Sequence, residues 1–498
     1  MSSIGPKTTH TQTNAPEQIF GWTGVVALTF LSLLVRYFLI GFNQTEYTDG
    51  IIQLNVWDSP VVFFPPGYSA AVWLFESLGA SSLIAGQLVS ILASAACMPL
   101  IYLLAREVLD DEGESFWAAI FLALSPILNR WAIRVMTDAF FLPWFILGCW
   151  LIVRGLKGKA NSAAWLLGVA GIASLVRYQG FYFIPWVGVL IFLQLKTTSN
   201  KKFGSILIWI ISVVPWALLV GWIAYRGFGH TEQFVERGSF GFWLTALLYY
   251  NMFETFLIYW PWAITHLLFV IGVIGWFVFA KGTEIQKRFA WFALITSLVF
   301  LVAQSAFLSF QYRYLLPLLP LWCVAAGRGI GYVISKIKMP YSKSIVTGLV
   351  AANLLIMTSA VLLMQRGAFG DIAQCGTYFS DVWKDARLLS NERYGHYPIP
   401  FKMQFWSQRE VLYYPVEEPK VGDIIVLHNT SGDIAEEFEY LSQRFQLQKL
   451  GDWRSSSTPL LPDIMVTPPM MTSNPPAMGY RFTRQDYYTL AVRLEAKP

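Results

Sequence analysis

Long apolar stretches recur along the first three quarters of the chain and are separated by short polar turns. A helix that spans a bilayer needs about 20 mostly apolar residues, and about eleven stretches approach or exceed this length. The pattern therefore predicts an all-α polytopic membrane protein of about eleven transmembrane helices. The expected spans lie near 20–41, 82–106, 115–130, 137–154, 161–176, 181–195, 204–225, 257–280, 289–309, 314–335 and 344–364. Two further runs, 65–80 and 240–256, are amphipathic or too short to span, so we expect them at the membrane surface.

Changes in polarity divide the chain into three parts. Residues 1–19 form a polar tail without the basic segment and cleavage site of a signal peptide, so the first apolar run is expected to remain as an anchor. Residues 20–364 form the predicted membrane domain, whose first outer loop covers 42–81. Residues 365–498 are richer in charge, proline and serine. They are predicted to form a small extracytoplasmic mixed α/β domain.

Three segments carry the prediction for the C-terminal part. The apolar segments Asp423–Leu427 and Tyr488–Leu494 are typical of strands. The segment Asp433–Phe445 is typical of an amphipathic helix with a cap at Ser431 or Asp433. No motif in this part indicates a chemical role.

Lysine residues are distributed unevenly between alternate turns. Lys and Arg in short loops remain on the cytoplasmic side of a membrane. The turns at 154–159, 196–202, 281–288 and 336–343 contain Lys, whereas the alternate turns contain none. With a cytoplasmic N-terminus, this alternation places the first loop and everything after Leu363 outside. We expect a multi-pass protein of a plasma (inner) membrane.

Composition supports the membrane class and excludes two others. The 498 residues are 55% hydrophobic and 13% charged, which is too apolar for a soluble globular protein. The net charge is only +5, and there is no basic run that would indicate a nucleic-acid partner. The four cysteines have no CxxC or Cys/His spacing. We therefore expect no cofactor, although the acids are compatible with one loosely held divalent metal.

Carboxylates in the turns assigned to the outer face are the first candidates for chemistry. Asp49 lies in the irregular stretch FNQTEYTDGIIQLNVWDSP, where Glu46 or Asp58 could take its place. Such an acid could activate a hydroxyl, or it could be a solvated loop residue. Asp138 begins an apolar run, where an unpaired acid would be costly to bury. The preceding Thr137 makes a helix N-cap an equally good interpretation.

Every cation in the outer turns is arginine, whose planar group binds phosphate through two nitrogens. Arg177 lies in SLVRYQGFYFIPW and Arg313 in FQYRYLLPLLPLW, each beside tyrosine and followed by apolar sequence. A lipid-linked phosphate would lie at that depth, but anchoring of the helix ends explains each arginine individually as well. The complete set is Arg130, Arg134, Arg177, Arg226, Arg237 and Arg313.

Four stretches follow one another along the chain: the first loop ending in FFPPGYSAAVWLF, then LSPILNRWAIRVMTDAFFLPWF, SLVRYQGFYFIPW and QYRYLLPLLPLW. In this order they resemble the GT-C superfamily of integral-membrane glycosyltransferases, and in particular its protein-mannosyltransferase and aminoarabinose-transferase branch. The likeness covers about residues 20–335, and the C-terminal part fits it only loosely.

The resemblance implies a polyprenyl-phosphate sugar as donor, a single displacement that inverts the anomeric centre, and a glycan, lipid or protein acceptor. It implies Asp49 as the catalytic base, with Glu46 as the alternative because the family often has a second acid where this chain has Gly50. Asp138 matches a family acid at the start of the fourth span. The lipid phosphate would be bound by Arg313 and Arg177, with Arg134, Tyr312 and Tyr178 nearby.

Two other classes also have many spans with charged residues. A transporter or lipid flippase would show internal repeats and broken helices at mid-membrane, and we find no repeat between the halves. A polymerase or ligase of lipid-linked glycans would favour a large late outer loop, whereas here the loop with the acids comes first.

Overall fold

The structure is a computed structural model of the chain. It describes residues 21–57, 64–197, 206–227, 260–261, 263–305, 312–337, 342–391, 399–430, 433–457 and 485–498. Several predictions therefore concern residues outside the described part. They are the polar tail, the surface helix at 240–256, the candidates Asp58 and Arg237, and the cap at Ser431.

The described part of the membrane region is almost entirely helical. Its helices are α1 Trp22–Phe38, α2 Thr48–Leu54, α3 Gly67–Ser77, α4 Ser82–Leu109, α5 Glu112–Ala123, α6 Pro126–Ala132, α7 Thr137–Leu156, α8 Ser162–Val176, α9 Phe183–Thr197, α10 Ile206–Arg226, α11 His266–Ala280, α12 Glu284–Ser305, α13 Leu319–Lys336 and α14 Ser342–Gln365. Two 3-10 segments, Tyr178–Tyr182 and Tyr312–Leu318, precede α9 and α13.

Seven segments in the described residues are long and apolar enough to cross a membrane, and three shorter apolar helices accompany them. The predicted class, an all-α polytopic membrane protein with a small C-terminal sheet, is confirmed. The number of crossings stays a prediction.

In three of the predicted spans, the helices of the structure start or break at positions that the apolar pattern does not indicate. The run 115–130 is two helices, because α6 starts at Pro126, whose ring and missing N–H suit a first helical position but not a helix interior. The run 257–280 is interrupted at Thr265, which has a φ of 83°. The run 181–195 starts earlier, in the 3-10 segment that follows Arg177.

Helix α4 is the centre of the bundle. It packs against α1, α5 and α7, and two thirds of its most apolar 18-residue stretch is buried. A buried cation, Arg36 of α1, donates to Asn129 Oδ1 through Nε and Nη2, at 3.1 and 3.0 Å, and to Ser94 Oγ at 3.1 Å. These bonds attach α1 and α4 to α6, which leads directly into the residues of the site.

The C-terminal α/β region, meaning the described residues from Arg366 onward, contains one mixed sheet. Its strands are β1 Leu388–Asn391, β2 Val411–Tyr414, β3 Ile424–His428, β4 Gln446–Ser457 and β5 Gln485–Glu495, in the order β2-β1-β3-β5-β4. The pairs β1–β2 and β1–β3 are parallel, and β3–β5 and β4–β5 are antiparallel.

Helices pack on both faces of this sheet. They are α15 Gly370–Asp381, α16 Ile399–Ser407 and α17 Ile434–Arg444. Side chains of a strand alternate between faces, so Ile424 and Val426 pack with α15 and α16, whereas Ile425 and Leu427 pack with α17. Helix α17 is capped by Asp433, which accepts from Ala435 N and Glu436 N.

Candidate active site

Asp49 lies in the first turn of α2, and this short helix is fixed by backbone contacts. Gly50 lies so close to the carbonyl oxygen of Val135 that a Cβ atom would overlap it. Gln53 Oε1 accepts from the Thr137 N–H at 2.9 Å, and Gln53 O accepts from Ser69 Oγ at 2.7 Å. The helix is therefore held against the start of α7 and against α3, and there is no room for an acid at position 50.

Two Arg–Asp pairs meet at this place. Arg313 Nη2 forms an ion pair with Asp49 Oδ2, and Arg177 Nη1 lies 2.5 Å from Asp138 Oδ1. The ring of Tyr314 lies between the two cations, with its centroid 5.1 Å from the Arg313 guanidinium carbon and 5.6 Å from that of Arg177. The fold thus joins residues that are 264 positions apart in the chain.

The two acids of these pairs differ in accessibility. The Asp49 side chain is 39% exposed, although its partner Arg313 is only 6% exposed. The Asp138 side chain is 1% exposed. It lies inside the first turn of α7, whose N-cap is Met136, so the interpretation of Thr137 and Asp138 as a cap is wrong. Asp138 instead pairs with Arg177, which also donates to Thr137 Oγ1 at 3.3 Å.

Glu46 is buried in a separate cluster on the loop before α2. Its Oε1 accepts from Gln87 Nε2 at 3.0 Å, and its Oε2 accepts from the Val135 N–H at 3.2 Å. Arg134 Nη1 lies 3.8 Å from the same Oε2 and donates to Thr45 O at 3.2 Å. Burial raises the pKa of Glu46, while the charge of Arg134 opposes this shift. Both oxygens of Glu46 are therefore already engaged by the protein.

The remaining predicted residues are placed as follows. Arg134 is buried against Glu46 and the Tyr47 ring, whose centroid is 4.6 Å from its guanidinium carbon. Tyr178 starts the 3-10 segment after Arg177 and stacks on Phe181. Tyr312 starts the second 3-10 segment, and its side chain lies outside the described part.

Sequence reasoning missed two aromatic residues of the site. Tyr314 lies between the cations, and Trp131 lies beneath Arg313, with its ring centroid 5.7 Å from the guanidinium carbon. The available signal was the second tyrosine in QYRYLL. Among the described residues, no group of three or more His, Cys, Asp or Glu side chains is arranged to hold a metal ion. Whether the protein uses a metal stays a prediction.

This arrangement has a clear chemical capacity. One accessible carboxylate can accept a proton, and two arginines beside it can bind an anion of two or three oxygens. The surrounding rings of Trp131 and Tyr314 hold the arginine side chains in place. A substrate that carries both a hydroxyl and a phosphate, or two substrates that carry one each, would fit these groups.

Known proteins resemble the chain in sequence and in fold. A family model described as dolichyl-phosphate-mannose-protein mannosyltransferase matches residues 64–222. The crystal structure of ArnT from Cupriavidus metallidurans in the apo state has a TM-score of 0.56 at 12% identity, over 94% of this chain and 98% of that chain. The same protein bound to undecaprenyl phosphate has a TM-score of 0.53 at 12% identity, over 95% of this chain and 98% of that chain.

No curated protein matches the sequence. The family model covers α3 to α10, which includes Asp138 and Arg177, and the likeness to ArnT extends over nearly all of both chains. The described residues contain seven membrane-length helical segments, and a site of paired acids and arginines lies at one end of the helices. This chain is thus similar to the protein mannosyltransferases over residues 64–222, and it shares the fold of ArnT, an integral-membrane glycosyltransferase fold of the GT-C type.

Proposed function

We propose that this protein transfers a sugar from a polyprenyl-phosphate donor to an acceptor hydroxyl, in a single displacement that inverts the anomeric centre. The observation that carries the proposal is the ion pair between the partly exposed Asp49 and the buried Arg313. It brings together a proton acceptor and an anion-binding group, the two functions that the reaction needs at one point.

Asp49 is the base in this proposal. Of the three carboxylates around α2 and α7, it is the one whose side chain a substrate can reach, because Glu46 and Asp138 are buried and paired. The acceptor hydroxyl gives its proton to Asp49 while its oxygen forms a bond to the anomeric carbon. The bond from that carbon to the phosphate oxygen breaks, and the phosphate leaves with the electron pair.

Arg313 and Arg177 bind the leaving phosphate. Binding of undecaprenyl phosphate by the ArnT of similar fold supports a lipid phosphate as the ligand. A phosphate that binds Arg313 competes with Asp49 for the same guanidinium, so donor binding frees the carboxylate to act as a base. Tyr178 and Tyr312 adjoin the two arginines in sequence and complete the proposed phosphate site. Asp138 orients Arg177, and Glu46 with Arg134 holds the loop.

The site is proposed to face outward. It lies at the end of the helices opposite the Lys-rich turns, for example opposite Lys157, which pairs with Glu107 at 2.9 Å. The N-terminus is then cytoplasmic, and the C-terminal α/β region is extracytoplasmic. Nucleotide sugars are absent outside the plasma membrane, which supports a lipid-linked donor. The acceptor is a glycan, lipid or protein hydroxyl.

Sugar release tests this proposal directly. Purified protein is incubated with radiolabelled polyprenyl-phosphate sugars, and the variant Asp49→Asn is measured beside wild type. Loss of a general base lowers the turnover rate by about a hundredfold or more, while undecaprenyl phosphate should still bind. Asp381→Asn, an exposed acid at the end of α15, is the matched control and should keep the wild-type rate. Equal turnover by wild type and Asp49→Asn would remove Asp49 from the mechanism.

A further inference from the structure

Lys402 of α16 is a buried lysine that the mechanism above does not use. Its relative exposure is 0%, and its Nζ has no hydrogen-bond partner among the described residues. Nζ lies 3.2 Å from the ring centroid of Phe369 and 6.0 Å from that of Tyr47. Aromatic faces attract cations, so these rings take the place of hydrogen bonds. Because an apolar side chain would fill the space without desolvating a charge, packing alone does not explain a lysine here.

Tyr47 connects this lysine to the proposed catalytic acid. It directly precedes α2, and its carbonyl oxygen accepts from the Ile51 N–H at 3.1 Å. The Tyr47 hydroxyl accepts from Arg130 Nη2 at 3.2 Å, and Arg134 covers the ring. Tyr47 is therefore held by cations from the membrane bundle and by Lys402 from the C-terminal α/β region.

A second side chain of α16 contacts the same loop. Trp406 lies one helical turn after Lys402, on the same face, and its Nε1 donates to Thr45 Oγ1 at 2.7 Å. The backbone joins the two regions as well, because the Gln44 N–H donates to Arg366 O at 3.1 Å. One face of α16 thus contacts residues 45 and 47, and α2 with Asp49 begins at residue 48.

We propose that α16 positions the catalytic loop, with Lys402 and Trp406 holding residues 45–47 in the place that aims Asp49 at the acceptor. The C-terminal α/β region then takes part in the transfer, in addition to any contact with the acceptor. The proposal rests on the proposed function, because it assumes that Asp49 is the base. Lys402 is a positioning residue here, since it acts through Tyr47 and α2.

The charge state of Lys402 makes this positioning dependent on pH. Burial lowers the pKa of Lys402 to about 7. Five charged or titratable groups face Lys402. They are Glu46 of the loop, Asp49 of α2, Arg134 between α6 and α7, Asp371 of α15 and His428 of β3. Only the protonated amine makes a cation–π contact. The contact to Tyr47 is therefore present below about pH 7 and is lost as the pH rises through it.

The variant Lys402→Met tests this, because methionine keeps most of the length and the apolar contacts of the lysine side chain but carries no charge. At pH 6 we expect kcat of the variant to be about tenfold lower than that of wild type, because the variant lacks a desolvated cation–π contact. The KM for the donor should change much less. Wild-type kcat should fall as the pH rises through about 7, whereas the variant should have the high-pH wild-type value throughout. The matched control Lys384→Met removes an exposed lysine of the same region and should behave as wild type.

Hydrogen exchange of the loop gives a second measurement that needs no activity. Amides of residues 44–54 should exchange faster in Lys402→Met than in wild type or Lys384→Met at pH 6. Trp406→Phe, which removes only the N–H donor to Thr45, should act in the same direction if Lys402→Met fails to fold. Unchanged exchange in both variants, or a wild-type pH profile in Lys402→Met, would overturn the positioning role. A wild type without transferase activity but with these exchange differences would instead refute the proposed function alone.

Discussion

For single residues, burial makes the difference between carboxylates that are otherwise chemically alike. Glu46 and Asp49 are three positions apart, yet Glu46 has both oxygens engaged and Asp49 remains partly exposed. Burial raises the pKa of Glu46 and so favours its neutral form, while Asp49 has a cation against it. Accessibility to a substrate, rather than residue type, favours Asp49 as the base.

Gly50 shows how a missing side chain shapes the same site. The family that the sequence resembles often has an acid at this position. Here the carbonyl oxygen of Val135 occupies the space that a Cβ would need. The absence of a second acid is therefore explained by the close approach of α2 to the start of α7.

The variant Gly50→Ala tests this close approach. Overlap with a backbone oxygen should force α2 away from Val135, which lowers the free energy of unfolding by about 1–3 kcal/mol and displaces Asp49. Thermal unfolding and sugar release are the measurements. Gly221→Ala is the control, because nothing lies within 4 Å of a Cβ at that glycine of α10. Wild-type stability and turnover in Gly50→Ala would show that the two backbones have room to separate.

At the scale of elements, a buried polar cluster joins the sheet to α15. His428 Nε2 at the end of β3 lies 3.1 Å from Asp371 Oδ2. Asp371 accepts from Thr489 Oγ1 at 2.7 Å and from Ser455 Oγ at 3.0 Å. Burial lowers the pKa of His428. Burial opposes ionisation of Asp371, but the contacts from His428, Thr489 and Ser455 outweigh it and lower the pKa of this acid.

These shifts predict that acid weakens the C-terminal α/β region. Below the ordinary histidine pKa of about 6.5, the unfolded chain takes up a proton that folded His428 resists, so stability falls as the pH is lowered. The contribution of Asp371 is lost at lower pH, as the pH falls through its lowered pKa. Lys402 acts at higher pH, between its ordinary pKa and about 7. In that range the unfolded chain takes up a proton that folded Lys402 resists, so stability again falls as the pH is lowered.

The variant His428→Gln isolates the first of these effects. Thermal unfolding between pH 7 and 5, followed by tryptophan fluorescence, should show a falling Tm in wild type and a flatter profile in the variant. The control His266→Gln changes an exposed histidine at the start of α11 and should keep the wild-type slope. An unchanged slope in His428→Gln would assign the acid sensitivity to other groups.

At the scale of the whole molecule, the bundle has two chemically different ends. Helix α7 begins beside Asp138 and ends beside Lys157, and its 20 residues separate these ends by about 30 Å. At the second end, Arg288 donates to Leu156 O at 3.1 Å, and Arg328 pairs with Glu114 at 2.7 Å. The site and the C-terminal α/β region share the first end, since Trp406 and Lys402 contact the loop before α2.

Thiol labelling tests which end faces outward. The four native cysteines are buried, so background labelling should be low. A membrane-impermeant maleimide applied to intact cells should label Ser77→Cys in the first loop and Glu417→Cys in the C-terminal α/β region. It should label Lys159→Cys, in the turn after α7, only after permeabilisation. Opposite accessibility of Ser77→Cys and Glu417→Cys would contradict both the topology and the shared site.

Patterns in the sequence alone were enough to predict the class of the protein and most of its helices. Repeated apolar runs predict membrane helices because a bilayer leaves backbone groups no other partner. Local patterns also predicted α17, its cap at Asp433, and strands β3 and β5. The residue types needed for phosphate and proton transfer, Arg177, Arg313 and Asp49, were visible in single short stretches.

Which of these residues lie together could be seen only once the chain was folded. The pairing of Asp49 with Arg313 and the approach of Lys402 to Tyr47 join positions hundreds of residues apart. The burial of Glu46 depends on Gln87, Arg134 and the Val135 backbone. Periodicity and helix capping arise between neighbours in the chain, so the sequence reveals them. Accessibility and charge pairing arise from packing between distant segments, so they could be read only from the folded structure.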